Sequence, residues 1–281
     1  MDEDRIRYLM QTKGEEVIFE RESARDRRKL VFSKNACVGC WLCYDSCPLE
    51  AIEKNPIRNR DREVLEHENI IIDPEKCVLC GICAEVCIFN ALRLTIEGES
   101  IKALKGYPQY AKAYYIDPEK CVPKGEDEVC RDCEVACPRG ALSCSLVVEE
   151  GVKNVVERDE ELCIMCTTCK HACPQDAIMV EKFFEGEIEV DLEKCQGCGV
   201  CVAICPAKAL SMPKAEIGQK VDKLVINHDT CMYCGACANA CPTLALTVKR
   251  SSINFVKDKN TSTMKRRVKV FEELLTKEEE G

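Results

Sequence analysis

The residues with chemistry to offer are the cysteines, 25 of them in a chain of 281. Cys195, Cys198, Cys201 and Cys205, followed by Pro206, form a C-x2-C-x2-C-x3-C-P run. Four more runs keep that spacing: Cys37, Cys40, Cys43, Cys47; Cys77, Cys80, Cys83, Cys87; Cys163, Cys166, Cys169, Cys173; and Cys231, Cys234, Cys237, Cys241. A sixth, Cys121, Cys130, Cys133 and Cys137, keeps it after its first member. Thiolates are soft donors, and this spacing is the bacterial iron–sulfur one. Three thiolates on a short loop hold one [4Fe–4S] cube, and the fourth reaches the other cube of a two-cluster unit. One run alone would also suit a zinc loop. Six runs, five of them ending in Cys-Pro and the second in Cys87-Ile88, do not, and a disulfide framework has no reason to repeat them. The expectation is six [4Fe–4S] clusters with these 24 cysteines as iron ligands.

Because each cube borrows a ligand, the runs must pair. Sequential pairing gives three two-cluster domains, at 30–100, 110–185 and 186–250, flanked by an extension at 1–29 and a tail at 251–281. Cys47 then joins Cys77, Cys80 and Cys83, while Cys87 joins Cys37, Cys40 and Cys43. Cys137 and Cys173 are exchanged in the second domain, Cys205 and Cys241 in the third. A nested scheme pairs the second run with the third, the fourth with the fifth and the first with the sixth. It makes residues 183–187 an internal hairpin.

The elements that must position these thiols are short. β-rich pieces at 70–73, 114–117, 188–191 and 224–227 lead into loops, and Ala-Ile or Ala-Leu pairs at 51, 91, 141, 177 and 209 lead out, as does 244–246. Proline suits the break, since it fixes φ and lacks an N–H. The fold class is α+β, a tandem of ferredoxin-like β-α-β units. Gly39, Gly81, Gly197, Gly199 and Gly235 flank second cysteines and let the backbone curl around a cube. The fourth loop has Thr167 and Thr168 there.

Eight residues, 122–129, separate Cys121 from Cys130, which leaves open whether Cys121 is a ligand. The leftover Cys144 reads as a small buried thiol or as a replacement for Cys121. His67, His171 and His228 read as surface residues, and Trp41 as a shield or docking contact beside the first loop.

Aromatic residues are only 5% of the chain, so stability must come largely from the metal centres. The formal charge is −9. With thiolates and oxidised cubes counted it becomes about −21, which argues against nucleic acid and for protein partners with basic patches. The acidic, polar start is not a secretory signal, and no apolar run reaches membrane-spanning length. A reducing, anaerobic cytoplasm is expected. No dinucleotide loop, Walker loop, nucleophile elbow or zinc-protease helix occurs. Electron transfer through a non-catalytic subunit is therefore expected, against an enzyme with one open cluster site or a structural scaffold. Residues 4–28 suit a short helix, and the lead they belong to is a solvated extension or a docking arm. Residues 257–269 are basic, 268–275 suit a short amphipathic helix, and the tail with Lys265-Arg-Arg267 is either solvated or partner-binding.

The lead at 21–33 running into Cys37-Val-Gly-Cys-Trp-Leu-Cys-Tyr-Asp-Ser-Cys-Pro48 resembles the archaeal polyferredoxin family, and more narrowly the polyferredoxin subunit of formylmethanofuran dehydrogenase. The resemblance implies relay of low-potential electrons between external carriers and a tungsten- or molybdenum-pterin catalytic subunit in methanogenesis, within a hetero-oligomeric complex. The familiar form has eight cubes, whereas this chain has ligands for six. Polyferredoxins of hydrogenase or heterodisulfide reductase, and iron–sulfur subunits of formate dehydrogenase, are the alternatives. Iron and acid-labile sulfide assays on anaerobic protein should each approach about 24 per chain, and values near about 20 would implicate the third loop.

Overall fold

The computed structural model describes residues 6–57, 68–104, 107–111, 113–125, 128–147, 153–214, 222–256, 267–270 and 272–273. His67 and most of the basic tail lie outside them.

Each cysteine loop ends in one short helix: α1 (Leu42–Asp45), α2 (Ile82–Val86), α3 (Asp132–Ala136), α4 (Thr168–Ala172), α5 (Val200–Ile204) and α6 (Ala236–Asn239). Four or five residues are too few for a self-supporting helix, so these are held by what they pack on. They pack in sequential pairs, α1 on α2, α3 on α4 and α5 on α6.

The strands pair the same way, always antiparallel. Arg27–Ser33 pairs with Leu92–Ile96, and Ile52–Lys54 with Ile70–Ile72. Tyr114–Ile116 pairs with Ile178–Val180, and Leu142–Val147 with Lys153–Arg158. Phe184–Val190 pairs with Leu246–Ile253, and Leu210–Ser211 with Val225–Ile226. Each unit thus has an outer pair, before its first loop and after its second, and an inner pair between the loops. The internal hairpin of the nested scheme is not formed: residues 184–187 lie within one strand, with a bulge at Glu185/Gly186 where Lys249 O would sit 2.1 Å from an added Cβ.

The ends of the chain depart from expectation. Residues 4–28 contain no helix among those described. Arg7–Lys13 and Glu16–Glu22 are strands that, together with Glu99–Ser100 on the far edge, extend the first unit's outer pair into a five-stranded sheet. Val17 and Phe19 pair with Phe32 and Leu30, and all four are buried, so tertiary burial decides for strand. A boundary at 29 therefore cuts the strand Arg27–Ser33. A boundary at 250 likewise cuts Leu246–Ile253, which continues into Phe255–Val256 paired with Gln109–Tyr110. Residues 267–270 are helical.

The three units touch one another. Asn90 Nδ2 donates to Glu161 O at 2.8 Å, Thr167 Oγ1 to Asp229 O at 2.6 Å, and Asn239 Nδ2 to Gly39 O at 3.1 Å. Tyr110 is buried among them. Its ring lies 4.7 and 5.6 Å from those of Phe183 and Phe184, and its hydroxyl donates to Val86 O at 3.0 Å. No helix among the described residues is long and apolar enough to cross a membrane. Tyr110→Ala should cost about 3–5 kcal/mol of local stability. Hydrogen exchange should show faster opening around α2 and Phe184–Val190, and unchanged protection there would refute the wedge.

Candidate metal centres

One backbone arrangement recurs at all six loops. The residue four before the first cysteine donates its N–H to the alanine that leaves the opposite loop. The bonds run from Ser33 to Ala91 (2.7 Å), Asp73 to Ala51 (2.8 Å), Asp117 to Ala177 (2.8 Å), Asp159 to Ala141 (2.9 Å), Asp191 to Ala245 (2.8 Å) and Asn227 to Ala209 (2.7 Å). The carbonyl of the same residue accepts from the first cysteine's N–H, as at Cys77 (3.0 Å) and Cys231 (3.0 Å). In five loops the departing alanine also donates to its own fourth cysteine: Ala51 to Cys47, Ala141 to Cys137, Ala177 to Cys173, Ala209 to Cys205 and Ala245 to Cys241, at 3.2–3.3 Å. Fourth cysteine and opposite loop are thereby locked together.

The thiols accordingly group across loops. One cavity is lined by Cys47, Cys77, Cys80 and Cys83, another by Cys137, Cys163, Cys166 and Cys169. A third is lined by Cys195, Cys198, Cys201 and Cys241, and a fourth by Cys205, Cys231, Cys234 and Cys237. Cys40 and Cys43 both interact electrostatically with Cys37 and Cys87. Cys121, Cys130 and Cys133 are buried together, and Cys133 feels Cys121. Cys173 is tied to the start of their loop through Ala177 and Asp117.

No disulfide joins any of these cysteines. Among the described residues no three acid, histidine or cysteine side chains converge on a single ion. Four thiolates around one zinc would lie within about 4 Å of each other. A four-iron cube holds its thiolates farther apart, and the four-thiol cavities suit it. Amides aimed at Sγ add the donors that such sulfurs accept.

Local backbone supports the wrap. In five loops the residues on both sides of the second cysteine are left-handed: Gly39 and Trp41, Leu79 and Gly81, Met165 and Thr167, Gly197 and Gly199, Tyr233 and Gly235, with φ between 52° and 90°. Leu, Met, Tyr, Trp and Thr share this conformation with glycine, at a steric cost. The third loop departs, because Arg131 has φ −114°. Its insertion folds on itself through Lys124 N to Glu128 O, 3.0 Å, and Gln175 Nε2 holds Val122 O at 3.0 Å. Asn154, buried, donates to Cys121 Sγ at 3.5 Å, accepts from Cys130 N at 3.1 Å and donates to Cys130 O at 3.3 Å. Cys144 is more than a stray buried thiol: its Sγ lies 3.6 Å from that of Cys133.

Burial pushes thiols up, Cys201 to about 11 and Cys169 and Cys234 to about 12, with neighbouring thiols adding to it at all three. At Cys241 burial acts upward but is outweighed by N–H donors from Ala245, Thr243 and Leu246 and by the Thr243 hydroxyl. His171 and His228 are exposed. Trp41 donates Nε1 to Asn69 O at 3.3 Å and stacks under Lys54 Nζ, 4.7 Å from the ring centroid.

Sequence reading missed the residue four before each first cysteine. The signal was there, an Asp or Asn at that offset in five of the six loops, whose Oδ1 caps the turn, as Asp73 does for Glu75 N at 2.8 Å. Asn154 and the buried Arg250, which donates to Tyr233 O and Cys234 O at 2.9 and 2.8 Å, had no spacing to reveal them.

Comparison with known proteins agrees with this geometry. A 4Fe-4S dicluster domain model matches residues 36–91 and 194–245, and a second of the same description matches 155–206. NADH-quinone oxidoreductase subunit I 2 of Geobacter metallireducens is 35% identical over 71 residues, 25% of this chain and 53% of that protein. Polyferredoxin protein MvhB of Methanothermus fervidus is 31% identical over 105 residues, 28% of this chain and 26% of that one. The chain thus spans about half of the first relative and a quarter of the second. A chain of the formate dehydrogenase–heterodisulfide reductase–formylmethanofuran dehydrogenase complex from Methanospirillum hungatei superposes with a TM-score of 0.79 at 33% identity, covering 94% of this chain and 91% of that one. Paired cysteine loops, antiparallel strand pairs and these matches together show that the chain belongs to the 4Fe-4S dicluster ferredoxin family, as a tandem, polyferredoxin-like array of such domains.

Proposed function

We propose that this chain is the electron-relaying iron–sulfur subunit of an oxidoreductase complex of the formylmethanofuran dehydrogenase type. The observation that supports it most is likeness over nearly full length to a chain of a methanogen complex containing that enzyme. The two chains are of similar length.

In this reading all 24 cysteines of the six runs, Cys121 included, ligate iron in three two-cluster domains near 30–100, 110–185 and 186–250. The first cube takes Cys37, Cys40, Cys43 and Cys87, and the second Cys77, Cys80, Cys83 and Cys47. The third takes Cys121, Cys130, Cys133 and Cys173, and the fourth Cys163, Cys166, Cys169 and Cys137. The last two take Cys195, Cys198, Cys201 with Cys241, and Cys231, Cys234, Cys237 with Cys205. A bound [4Fe–4S] cube takes up and releases one electron in place.

The protein's part is to fix these sites near one another, exclude water and set their potentials. Because α6 bonds Gly39 in the first loop and Cys40 feels Cys234, the first and third units communicate without the second. The route is set by contacts between units rather than by chain order. The site residues have no reacting substrate to act on, and chemistry belongs to a partner subunit in the cytoplasm. A second reading, the polyferredoxin of a hydrogenase or heterodisulfide reductase, is supported by the similarity to a polyferredoxin and by the heterodisulfide reductase named in the same methanogen complex.

Anaerobic purification of the native complex should yield a tungsten- or molybdenum-pterin protein as a stoichiometric partner; a hydrogenase subunit in its place would favour the second reading. Cys47→Ala should remove metal from the site of Cys77, Cys80 and Cys83, a loss of up to about four iron per chain. Loss at the Cys37 site alone, seen by Mössbauer and EPR spectroscopy, would reject the crossed ligand exchange.

A further inference from the structure

Three consecutive carbonyls in the loop at Cys77 are each held by a different arginine. Arg21 Nη1 donates to Val78 O at 3.0 Å, Arg28 Nη1 to Leu79 O at 3.1 Å, and Arg267 Nη2 to Cys80 O at 2.9 Å. None belongs to a cysteine loop. Two come from the strands Glu16–Glu22 and Arg27–Ser33, and the third from the helical residues 267–270 near the C-terminus. Their side chains are only 14–22% exposed, so water screens them poorly.

Two carboxylates hold the arginines in place. Asp26 accepts from Arg21 at 2.9 Å and from Arg28 at 2.8 and 2.7 Å, while Glu85 accepts from Arg267. Arg267 is further fixed 4.3 Å from the centroid of the Tyr107 ring. Asp73 at the start of the loop faces Lys76 at 3.5 Å. The three guanidinium groups exceed by one the two carboxylates that hold them, with Glu75 exposed beyond them. The loop at Cys231, by contrast, has one such guanidinium, Arg250, serving two carbonyls. The carbonyl oxygens at the Cys77 loop point to guanidinium instead of to the thiols.

The third loop is built the other way. A carboxylate oxygen of Asp132 lies 3.9 Å from Cys130 Sγ, and Glu134 accepts from Cys144 N at 3.1 Å. Their cationic partners, Lys124 and Arg131, are about half exposed, and a neutral amide, that of Asn154, holds Cys130 O.

Adding an electron to a site favours nearby cations and disfavours nearby anions, one of the levers by which a protein sets cluster potential. We propose that Arg267, acting with Arg21 and Arg28, makes the site framed by Cys47, Cys77, Cys80 and Cys83 the most oxidising of the array, so that electrons entering the chain come to rest there. Arg267 is a positioning residue, since it acts through the Cys80 carbonyl. The C-terminal segment is then part of the redox machinery and not a solvated tail. This inference rests on the electron-relay reading above.

The test is an EPR-monitored redox titration of full-length, anaerobically prepared holoprotein. In Cys47→Ala the most positive one-electron wave should disappear. In Arg267→Gln the same wave should move to lower potential, with the ratio of reduced to oxidised centres at its former midpoint falling by up to about tenfold, about 59 mV for a one-electron couple. Arg267→Lys, which keeps the charge, should shift it less. Disappearance of any other wave in Cys47→Ala overturns the proposal, as does an Arg267→Gln protein with full iron and unmoved waves. If Arg267→Gln loses iron, Arg28→Gln takes its place, and an unshifted top wave there overturns the proposal too. A wild-type protein with no reversible waves would instead remove the relay reading.

Discussion

The structure depends on one short bond made six times, from the residue four before each first cysteine to the alanine that follows the opposite loop's fourth cysteine. That alanine faces both ways. Its carbonyl accepts from the incoming strand, and in five loops its N–H donates to the departing thiol. A net gain of about 1 kcal/mol per such bond is small. What matters is position, because the bond brings the fourth cysteine beside three thiols that are distant in sequence. Paired strands, paired helices and crossed cavities all follow from it.

The rest of the core is unusual in what fills it. Cysteines stand among the buried residues beside Leu42, Leu79 and Val248, and the helices are single turns, all but α3 with a left-handed residue at the start. Leu79, Met165 and Tyr233 hold strained backbone at positions where glycine would rest easily. Burial makes unprotonated thiols costly, so the loops suit either neutral thiols or thiolates whose charge is offset by iron. Folding and cluster assembly are therefore linked in these units.

Contacts between units add a second layer. Asn90, Thr167 and Asn239 each carry one polar bond from unit to unit, and Tyr110 fills the space between the first and third. Each unit meets both others, which gives electron transfer more than one path. Charge is also spread unevenly: guanidinium gathers on the second loop while carboxylate stands nearest the third.

The cysteine spacing carried the ferredoxin-like fold in the sequence itself, because thiols at 2-2-3 intervals before proline have few uses. Short β-rich pieces at 70–73, 114–117, 188–191 and 224–227 marked four of the entering strands. Other features were settled only by tertiary structure. The choice of strand over helix for Arg7–Glu22 came from burial of Val17 and Phe19 against Phe32 and Leu30, which local sequence does not contain. The pairing of loops was undecided by gap lengths, since an inter-strand bond between Asp73 and Ala51 has no trace in either segment alone. Arg28 and Arg267 lie far apart along the chain, with one loop between them in space. Local spacing can encode which atoms bind metal, whereas the field around that metal comes from residues that only folding brings near.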